Sequence, residues 1–474
     1  MFGRIISWLK EVMNKMFGLR SETKITGGVP IAVSSEMAAA IQRWHDEYTG
    51  KAHWLKEPGS QSLNLPALIA SEMATLVTLE AQVNITGSPR ADFLSEQFKT
   101  FLENLHTVTE YACAMGGIVM KVYPDDGNIA IDYIHVDDFY PTAFNSRREI
   151  RAAAFVERKV VGDKVYSRVE YHSLDGTTYT ITNKCFRGYT ENDIGTEVSL
   201  SEIDEWADIQ PIATIEGIDF PLFSYFRIPM GNAIDPKSPL GVSVYAKAEN
   251  NIMEADKQYQ RLLWEFEGGE MAIDVSENVY FEDTQNRVIL PTGKERLFRP
   301  NKLEINEGGS DIFKPYAPTL RDASLINGLN EILAKIEDQT GLARGTFSDR
   351  LRDTRTATEI KFSRQRTYAT VTAIQMALEK AINGLVKAMD TIATLYNLAP
   401  AGEYQVVCTW DDSVVTDADT ERTRDAQEVR DGLMRKHEFR MKWYGEDEKT
   451  ARAAIQEQKR EQSDDDILFG ISEE

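Results

Sequence analysis

Between residues 239 and 396 the chain sets long, narrowly striped helices around a compact strand-rich insertion and a polar, arginine-rich loop. This order limits the available folds more than any other feature. The stretch SPLGVSVYAKAENNIMEADKQYQRLLWEFEGG, residues 238–269, places Tyr245, Ala248, Ile252, Ala255, Tyr259, Leu262 and Phe266 at alternating steps of three and four. That spacing predicts one helix with a single narrow apolar seam, with Ser238 or Ser243 as its cap. A second helix is predicted over residues 322–340, with Ile326, Leu329, Leu333 and Ile336 as its seam. The insertion between them, residues 268–318, has candidate strands at 271–275, 279–281 and 287–290 and a PTGKE turn at 291–295. Two narrow stripes joined this way predict a hairpin standing in a ring of identical hairpins. Each helix then packs on neighbours in its own chain and in the next, and Tyr245, Ile252, Tyr259, Leu262, Phe266, Leu329, Leu333 and Ile336 are expected at the interface between copies.

A chain of 474 residues has room for roughly two to four domains. Its formal net charge of −22 argues against a general grip on nucleic-acid phosphates, which calls for a basic balance. An acidic wall can still surround a duplex that must pass without sticking, and acidity also serves solubility alone. One basic island interrupts this balance. Arg344, Arg350, Arg352, Arg355, Lys361, Arg364 and Arg366 stand against Asp349, Asp353 and Glu359. Two readings are open: salt bridges between subunits, or transient contact with phosphates at a constriction. The three cysteines, Cys113, Cys185 and Cys408, are far apart and form no CxxC pair, which points to a reducing compartment and no structural zinc. The N-terminal MFGRIISWLKEVMNKMFGLR carries charges inside its apolar stretch and no small-residue cleavage site. It reads as an amphipathic helix that docks on a partner, on its own chain or on a membrane surface, and not as a signal peptide. No run long enough to span a membrane occurs in the sequence.

Residues 21–60 are polar around Trp44, Tyr48 and Trp54, and residues 64–112 read as helical, with Leu68, Glu72, Leu76 and Leu79 at helical spacing. At Gly116-Gly117 the period changes to two. A hairpin is predicted over 118–135 and a second over 151–172, and a third strand at 179–186 follows an LDGT turn, together an antiparallel meander. Residues 190–217 are acidic and irregular. The third long helix, residues 357–398, sustains a heptad through Val371, Ile374, Leu378, Ala381, Leu385, Ala388, Ile392 and Leu395. A strand at 404–410, charged helices and an acidic tail, SDDDILFGISEE, complete the chain.

Templates for enzymatic chemistry fail. There is no GxxxxGK[ST], GxGxxG, HExxH or GxSxG, and the six histidines are scattered. Asp411, Asp412, Asp417 and Asp419 suggest a calcium loop, and Asp411, Asp412 and Asp417 a metal-dependent nuclease. Counted from Asp417, however, Arg422 occupies the sixth position, where the turn needs glycine. These carboxylates fit helix capping better, and neither a metal, a cofactor nor an enzymatic activity is expected.

In this order, the elements resemble the portal proteins of tailed double-stranded DNA bacteriophages, of the long-tailed type. The resemblance runs over residues 65–461. It is carried by the extended lead IPMGNAIDPKSPLGVSVYAKA, the helix–insertion–helix hairpin, the QTGLARGTFSD loop, the TATEI start of the long helix and the segment VVCTWDDSVVTDADTERTRDAQEVRDGL. It implies an α+β fold with a mostly helical stem, wing and crown, an antiparallel meander in the wing and a small β-containing clip. Residues 1–60 would be an N-terminal arm and 61–240 the wing. The stem helices would be 241–267 (the first spanning about 39 Å over residues 242–267) and 319–341, around a clip at 268–318. Residues 342–356 would form the tunnel loop, with Arg344, Thr346, Phe347, Asp349, Arg350, Arg352 and Arg355 facing the channel. Residues 357–412 would be the long wing helix and strand, and 413–474 the crown and tail. The resemblance further implies a ring, usually of twelve subunits, at one capsid vertex of the virion, assembled in the host cytoplasm. Double-stranded DNA passes through that ring with weak contact. Lys294, Glu295 and Arg296 of the clip would dock the terminase large subunit and later a head-completion adaptor, and the ring would meet the major capsid and scaffolding proteins. Another virion assembly protein without a DNA channel is the alternative.

Overall fold

The computed structural model describes residues 32–55, 59–190, 195–276, 298–301, 313–349, 357–410 and 418–457. The amphipathic N-terminal segment, Lys294, Glu295 and Arg296, Arg350, Arg352 and Arg355, and Asp411, Asp412 and Asp417 lie outside them.

The fold mixes helices with mostly antiparallel sheet. Helix α1, Ser35–Tyr48, starts where the Ser34 hydroxyl accepts the Met37 amide, and it buries Met37, Ile41 and Trp44. Helix α2, Leu65–Thr78, has Pro66 in its first turn, where a missing N–H costs nothing. Its buried face is Leu65, Ile69, Met73 and Val77, whereas Leu68 and Leu79 are exposed. The stripe read through Leu68 is therefore the wrong one, because an alanine-rich helix offers several apolar rows and spacing alone cannot choose among them.

Nor is residues 64–112 one helical stretch. Strand β1, Ala81–Thr86, pairs antiparallel with a strand more than 300 residues later, Gln405–Trp410, and only then does helix α3, Pro89–Met115, begin. Alternating Val83 and Ile85 mark that strand, but its partner is too distant in sequence for the pairing to show locally.

Gly116 closes α3 with φ +87°, and a Cβ there would lie 2.7 Å from the Gly241 backbone. The predicted meander divides into two sheets. Strands β2, Gly117–Asp125, and β3, Asn128–His135, join a late strand, Phe223–Arg227, in a three-stranded sheet. Strands β4 (Phe139–Phe144), β5 (Ile150–Val161), β6 (Lys164–Asp175), β7 (Thr178–Gly188) and β8 (Thr196–Val198) form the second, and β9 (Ile212–Glu216) also pairs with β7. Within the acidic stretch, residues 195–217 thus carry strands and short helical turns, and Trp206 among them is buried. Phe223–Arg227 is β10.

Residues 241–248 are not helical. The next helix, α4, spans Glu249–Gly268, about 30 Å at 1.5 Å per residue. The preceding backbone is engaged by the rest of the fold: the Val244 amide donates to the Cys113 carbonyl at 3.0 Å, and Gly241 stands against Gly116. Leu240, Val242, Val244, Tyr245 and Ala248 are all buried. With nearly every apolar side chain covered, the three-four spacing continued upstream of the real helix. Neither Ser238 nor Ser243 caps it, since Ala248 holds that position.

Strand β11, Ala272–Ser276, lies between β12, Phe298–Asn301, and β13, Phe313–Tyr316, parallel to the first and antiparallel to the second. Of the predicted insertion strands only 271–275 falls within the described residues. Helix α5, Asp322–Thr340, matches its predicted span. Helix α6, Ala357–Leu395, crosses the β10-β2-β3 sheet, where Ser224 of β10 donates to the Ala381 carbonyl at 2.7 Å. Its predicted heptad is buried from Val371 to Ile392, but Leu395 is exposed. Strand β14 is Gln405–Trp410. Helices α7, Ala418–Arg430, and α8, Lys436–Tyr444, are tied by Asp425, which accepts from Lys442 Nζ at 2.7 Å and Trp443 Nε1 at 3.0 Å.

Candidate functional site: the helical hairpin and the loop at its base

Helices α4 and α5 pair antiparallel, and polar contacts fix their register along the whole length. At the base, Asn251 donates to Gln339 at 2.8 Å; in the middle, Gln258 donates to the Leu325 carbonyl at 3.1 Å. At the far end Glu265 receives the Arg321 backbone amide at 2.9 Å and the guanidinium at 2.7 and 3.2 Å. These Arg321 hydrogen bonds hold the Glu265 carboxyl down to about 2. Asp256, buried in mid-hairpin, accepts from Trp54 Nε1, the Ser62 hydroxyl and the Leu63 amide at 2.8–2.9 Å. A carboxylate sequestered this way needs several donors to offset its lost hydration. The segment before α2 is thereby strapped to the hairpin.

The apolar seam divides along this length. Tyr245, Ile252, Leu333 and Ile336 are buried inside the chain's own core. The expectation that these four meet a neighbouring copy is corrected: they are already covered, Tyr245 with its hydroxyl donating to the Trp44 carbonyl at 2.8 Å. A three-four stripe reports that a helix has one partner and not whether that partner belongs to the same chain. Tyr259, Leu262 and Leu329 are half-buried. Toward the insertion the apolar surface opens: Phe266 is 45% exposed and Trp264 67%, and Met271 and Tyr316, the latter paired with Ala272, are also exposed.

At the opposite end, α5 stops at Gly341 with φ +82°, where a Cβ would come within 2.6 Å of the Thr370 hydroxyl. The chain then folds around Glu337. This fully buried carboxylate accepts the Phe347 amide at 2.6 Å, the Ser348 amide at 2.8 Å, the Gly345 amide at 3.0 Å and the Ser348 hydroxyl at 2.8 Å. Three backbone N–H groups converging on one carboxylate make a rigid cradle out of a segment with no regular structure. Leu342 is buried and Phe347 packs against the core.

Arg344 makes a forked contact with Asp338, with Nε 3.0 Å from both carboxylate oxygens and Nη2 2.5 Å from one. Arg366 of α6 reaches the same residue, donating to its carbonyl at 2.9 Å. Among the described residues, therefore, two arginines of the basic island are paired within the chain, while the two open readings concerned other subunits or phosphates. Both remain partly exposed on their outer sides. Thr346 donates to the Ala343 carbonyl at 2.6 Å, and the Asp349 amide reaches Asn330 at 3.3 Å. Nothing in the sequence spacing singled out Glu337. An acidic residue in the last turn of a helix, where the dipole disfavours it, is the local signal that it serves something beyond the helix.

A family description, "Phage portal protein, SPP1 Gp6-like", matches residues 42–465. No curated protein matches the chain. A solved structure described as "Neck of native GTA particle computed with C12 symmetry" is similar at 11% identity, over 79% of this chain and 89% of that one, with a TM-score of 0.37.

Proposed function

Because the chain belongs to the SPP1 Gp6-like phage portal proteins, we propose that it acts as one subunit of a ring-shaped DNA channel at a capsid vertex, with α4 and α5 as the stem of that channel. The observation that carries this reading is the hairpin itself. It is a stiff antiparallel helix pair with a three-stranded sheet at one end and an anchored loop at the other. The half-buried Tyr259, Leu262 and Leu329, with exposed Phe266 and Trp264, supply the surface for the neighbouring stem.

In this reading the Glu337 cradle sets the tunnel loop at the constriction, with Arg344 clamped to Asp338 and Thr346, Phe347 and Asp349 in a fixed turn. Arg350, Arg352 and Arg355 then present charge to phosphates that physiological salt largely screens. A net charge of −22 keeps the rest of the wall from holding the duplex. The sheet of β11, β12 and β13 is the core of the clip, and Lys294, Glu295 and Arg296 meet the terminase large subunit and afterwards a head-completion adaptor. Residues 413–474 form the crown, facing the major capsid and scaffolding proteins. Twelve copies complete the ring in the host cytoplasm before it enters the virion. The chain itself supplies passage and docking and needs no cofactor, so hydrolysis belongs to the motor.

The test is electron microscopy and light scattering of the purified full chain. The expected result is rings with a central hole and a mass of twelve 53.6 kDa protomers. A monodisperse monomer at high concentration, or an assembly without a hole, would refute the reading.

A further inference from the structure

On the wing, away from the stem and its loop, lies a cavity of about 560 Å³ between α6, β10 and the start of β5. Six cationic side chains line it, Arg147, Arg148, Arg151, Arg227, Lys380 and Lys387, against two carboxylates, Glu149 and Asp219. In a chain with 75 acidic and 53 basic residues that local balance is inverted. The two carboxylates are each engaged by one lysine, Lys380–Glu149 at 3.1 Å and Lys387–Asp219 at 3.3 Å. That leaves the arginine charge uncompensated by acidic lining residues.

Arg227 Nε is buried without a hydrogen-bond partner. A guanidinium nitrogen hidden from water and left unpaired costs free energy until an acceptor arrives. Burial, together with nearby Arg148, pulls the Arg227 guanidinium below its usual value, as an unmet positive charge requires. The rest of the lining is mostly apolar, with Phe220, Phe223, Ala377 and Ala381 among it, and the hydroxyls of Ser224 and Tyr225 are taken up by the Ala381 carbonyl and the Gly241 amide. A cationic rim over an apolar floor suits a peptide that alternates acids with large hydrophobic side chains better than it suits a free anion.

We propose that this cavity is the docking site for the chain's own C-terminal segment, Asp464–Phe469, either from the same subunit or from a neighbouring copy. The tail reads SDDDILFGISEE: three consecutive aspartates, then Ile467, Leu468 and Phe469, with no basic residue. Its aspartates match the arginine rim, where carboxylate–guanidinium pairs are favourable, and its three apolar side chains match the floor. The stretch from residue 457, the last described, to Asp464 can reach about 25 Å when extended. Such docking would pin the end of the crown to the wing and stiffen the connection between them. This inference is independent of the DNA-channel reading, since it concerns only the chain's own two segments.

Zero-length carbodiimide cross-linking of the intact full-length protein, read by mass spectrometry, tests it. The pairs Lys380–Glu149 and Lys387–Asp219 serve as internal positive controls. The expected result is additional cross-links from Lys380 or Lys387 to Asp464, Asp465 or Asp466, which fade in high salt. A mixed assembly of isotopically light and heavy chains tells whether the tail comes from the same subunit or its neighbour, and either pairing supports the docking. In a second readout, acylation of Lys380 and Lys387 should speed up about tenfold in D464N/D465N/D466N, the change expected from losing about 1.4 kcal/mol of protection. Control cross-links without any to the tail, unchanged acylation in the triple variant, or cross-links that replace those to the tail and join Lys380 or Lys387 to acidic residues other than Glu149 and Asp219, in this chain or in another protein, would each overturn the proposal.

Discussion

Replacing Glu337 is the most direct perturbation of the loop at the hairpin base. Its carboxylate takes three backbone amides and one hydroxyl at 2.6–3.0 Å. Each donor left unsatisfied in a buried setting costs about 1–3 kcal/mol. Gly345, Phe347 and Ser348 are only half-buried, so water recovers part of this. Glu337→Ala should therefore destabilise the closed loop by roughly 3–6 kcal/mol. Glu337→Gln keeps the shape but turns one end of the acceptor into a donor facing N–H groups, so it should lose about half as much. If the loop opens locally, amide exchange at Gly345, Phe347 and Ser348 should accelerate by about 10²- to 10⁴-fold in the alanine variant, with little change in β2, β3 or α6. Hydrogen exchange of intact rings measures this, and electron microscopy confirms that rings still form. Equal protection of these three amides in wild type and both variants would refute the reasoning, because the cradle would then hold without its carboxylate. Loss of rings would move Glu337 from loop positioning to assembly.

The seam gives a contrast between its two halves. Ile252→Asp should unfold or grossly destabilise the protomer, since it places a charge in a fully buried site at a cost of several kcal/mol. Trp264→Ala with Phe266→Ala should leave the protomer's far-UV dichroism intact and weaken rings; size-exclusion with light scattering decides both. Arg350→Ala with Arg352→Ala should preserve rings and alter DNA packaging or retention, while the wild-type ring binds duplex poorly at ordinary salt in a gel-shift assay. Tight, salt-resistant binding would contradict that expectation. Finally, burial, reinforced by Glu249, pushes the Glu47 carboxyl up to about 8. Because the folded value is raised, the folded state binds a proton more tightly than the unfolded one. Stability from this group is full below the unfolded value and declines as pH rises toward 8. Glu47→Gln should therefore raise the melting temperature relative to wild type at pH 8–9 and change little at pH 4, and thermal scans at both values check the sign.

How much of the molecule was legible in the chain follows from how far each signal reaches. Helix α5 and the hairpins of β2–β3 and β5–β6 could be placed closely because each is encoded locally, by stripe, turn glycine and β-branched alternation within a few residues. The order of elements between residues 239 and 396 likewise carried the family, since a helix–insertion–helix–loop–helix succession is a property of the chain alone. The acidic balance argued against a general nucleic-acid binder, again without reference to any fold. Only the tertiary structure decided which apolar residues face what. Burial of nearly every apolar side chain over residues 240–248 disguised a tight packed turn as helix, and the seam of Ile252, Leu333 and Ile336 turned inward to the chain's own core. The β1–β14 pairing depends on a partner more than 300 residues away, and the buried face of α2 is chosen by α1, α3 and α6 packed against it. The strap on the hairpin, from Asp256 to Trp54, Ser62 and Leu63, likewise joins residues 193 to 202 apart in sequence. The Glu337 cradle lies at the limit, because its four donors come from within eleven residues yet no periodic signal marks them. Spacing in a sequence records how often a side chain is hidden; the three-dimensional chain alone determines what hides it.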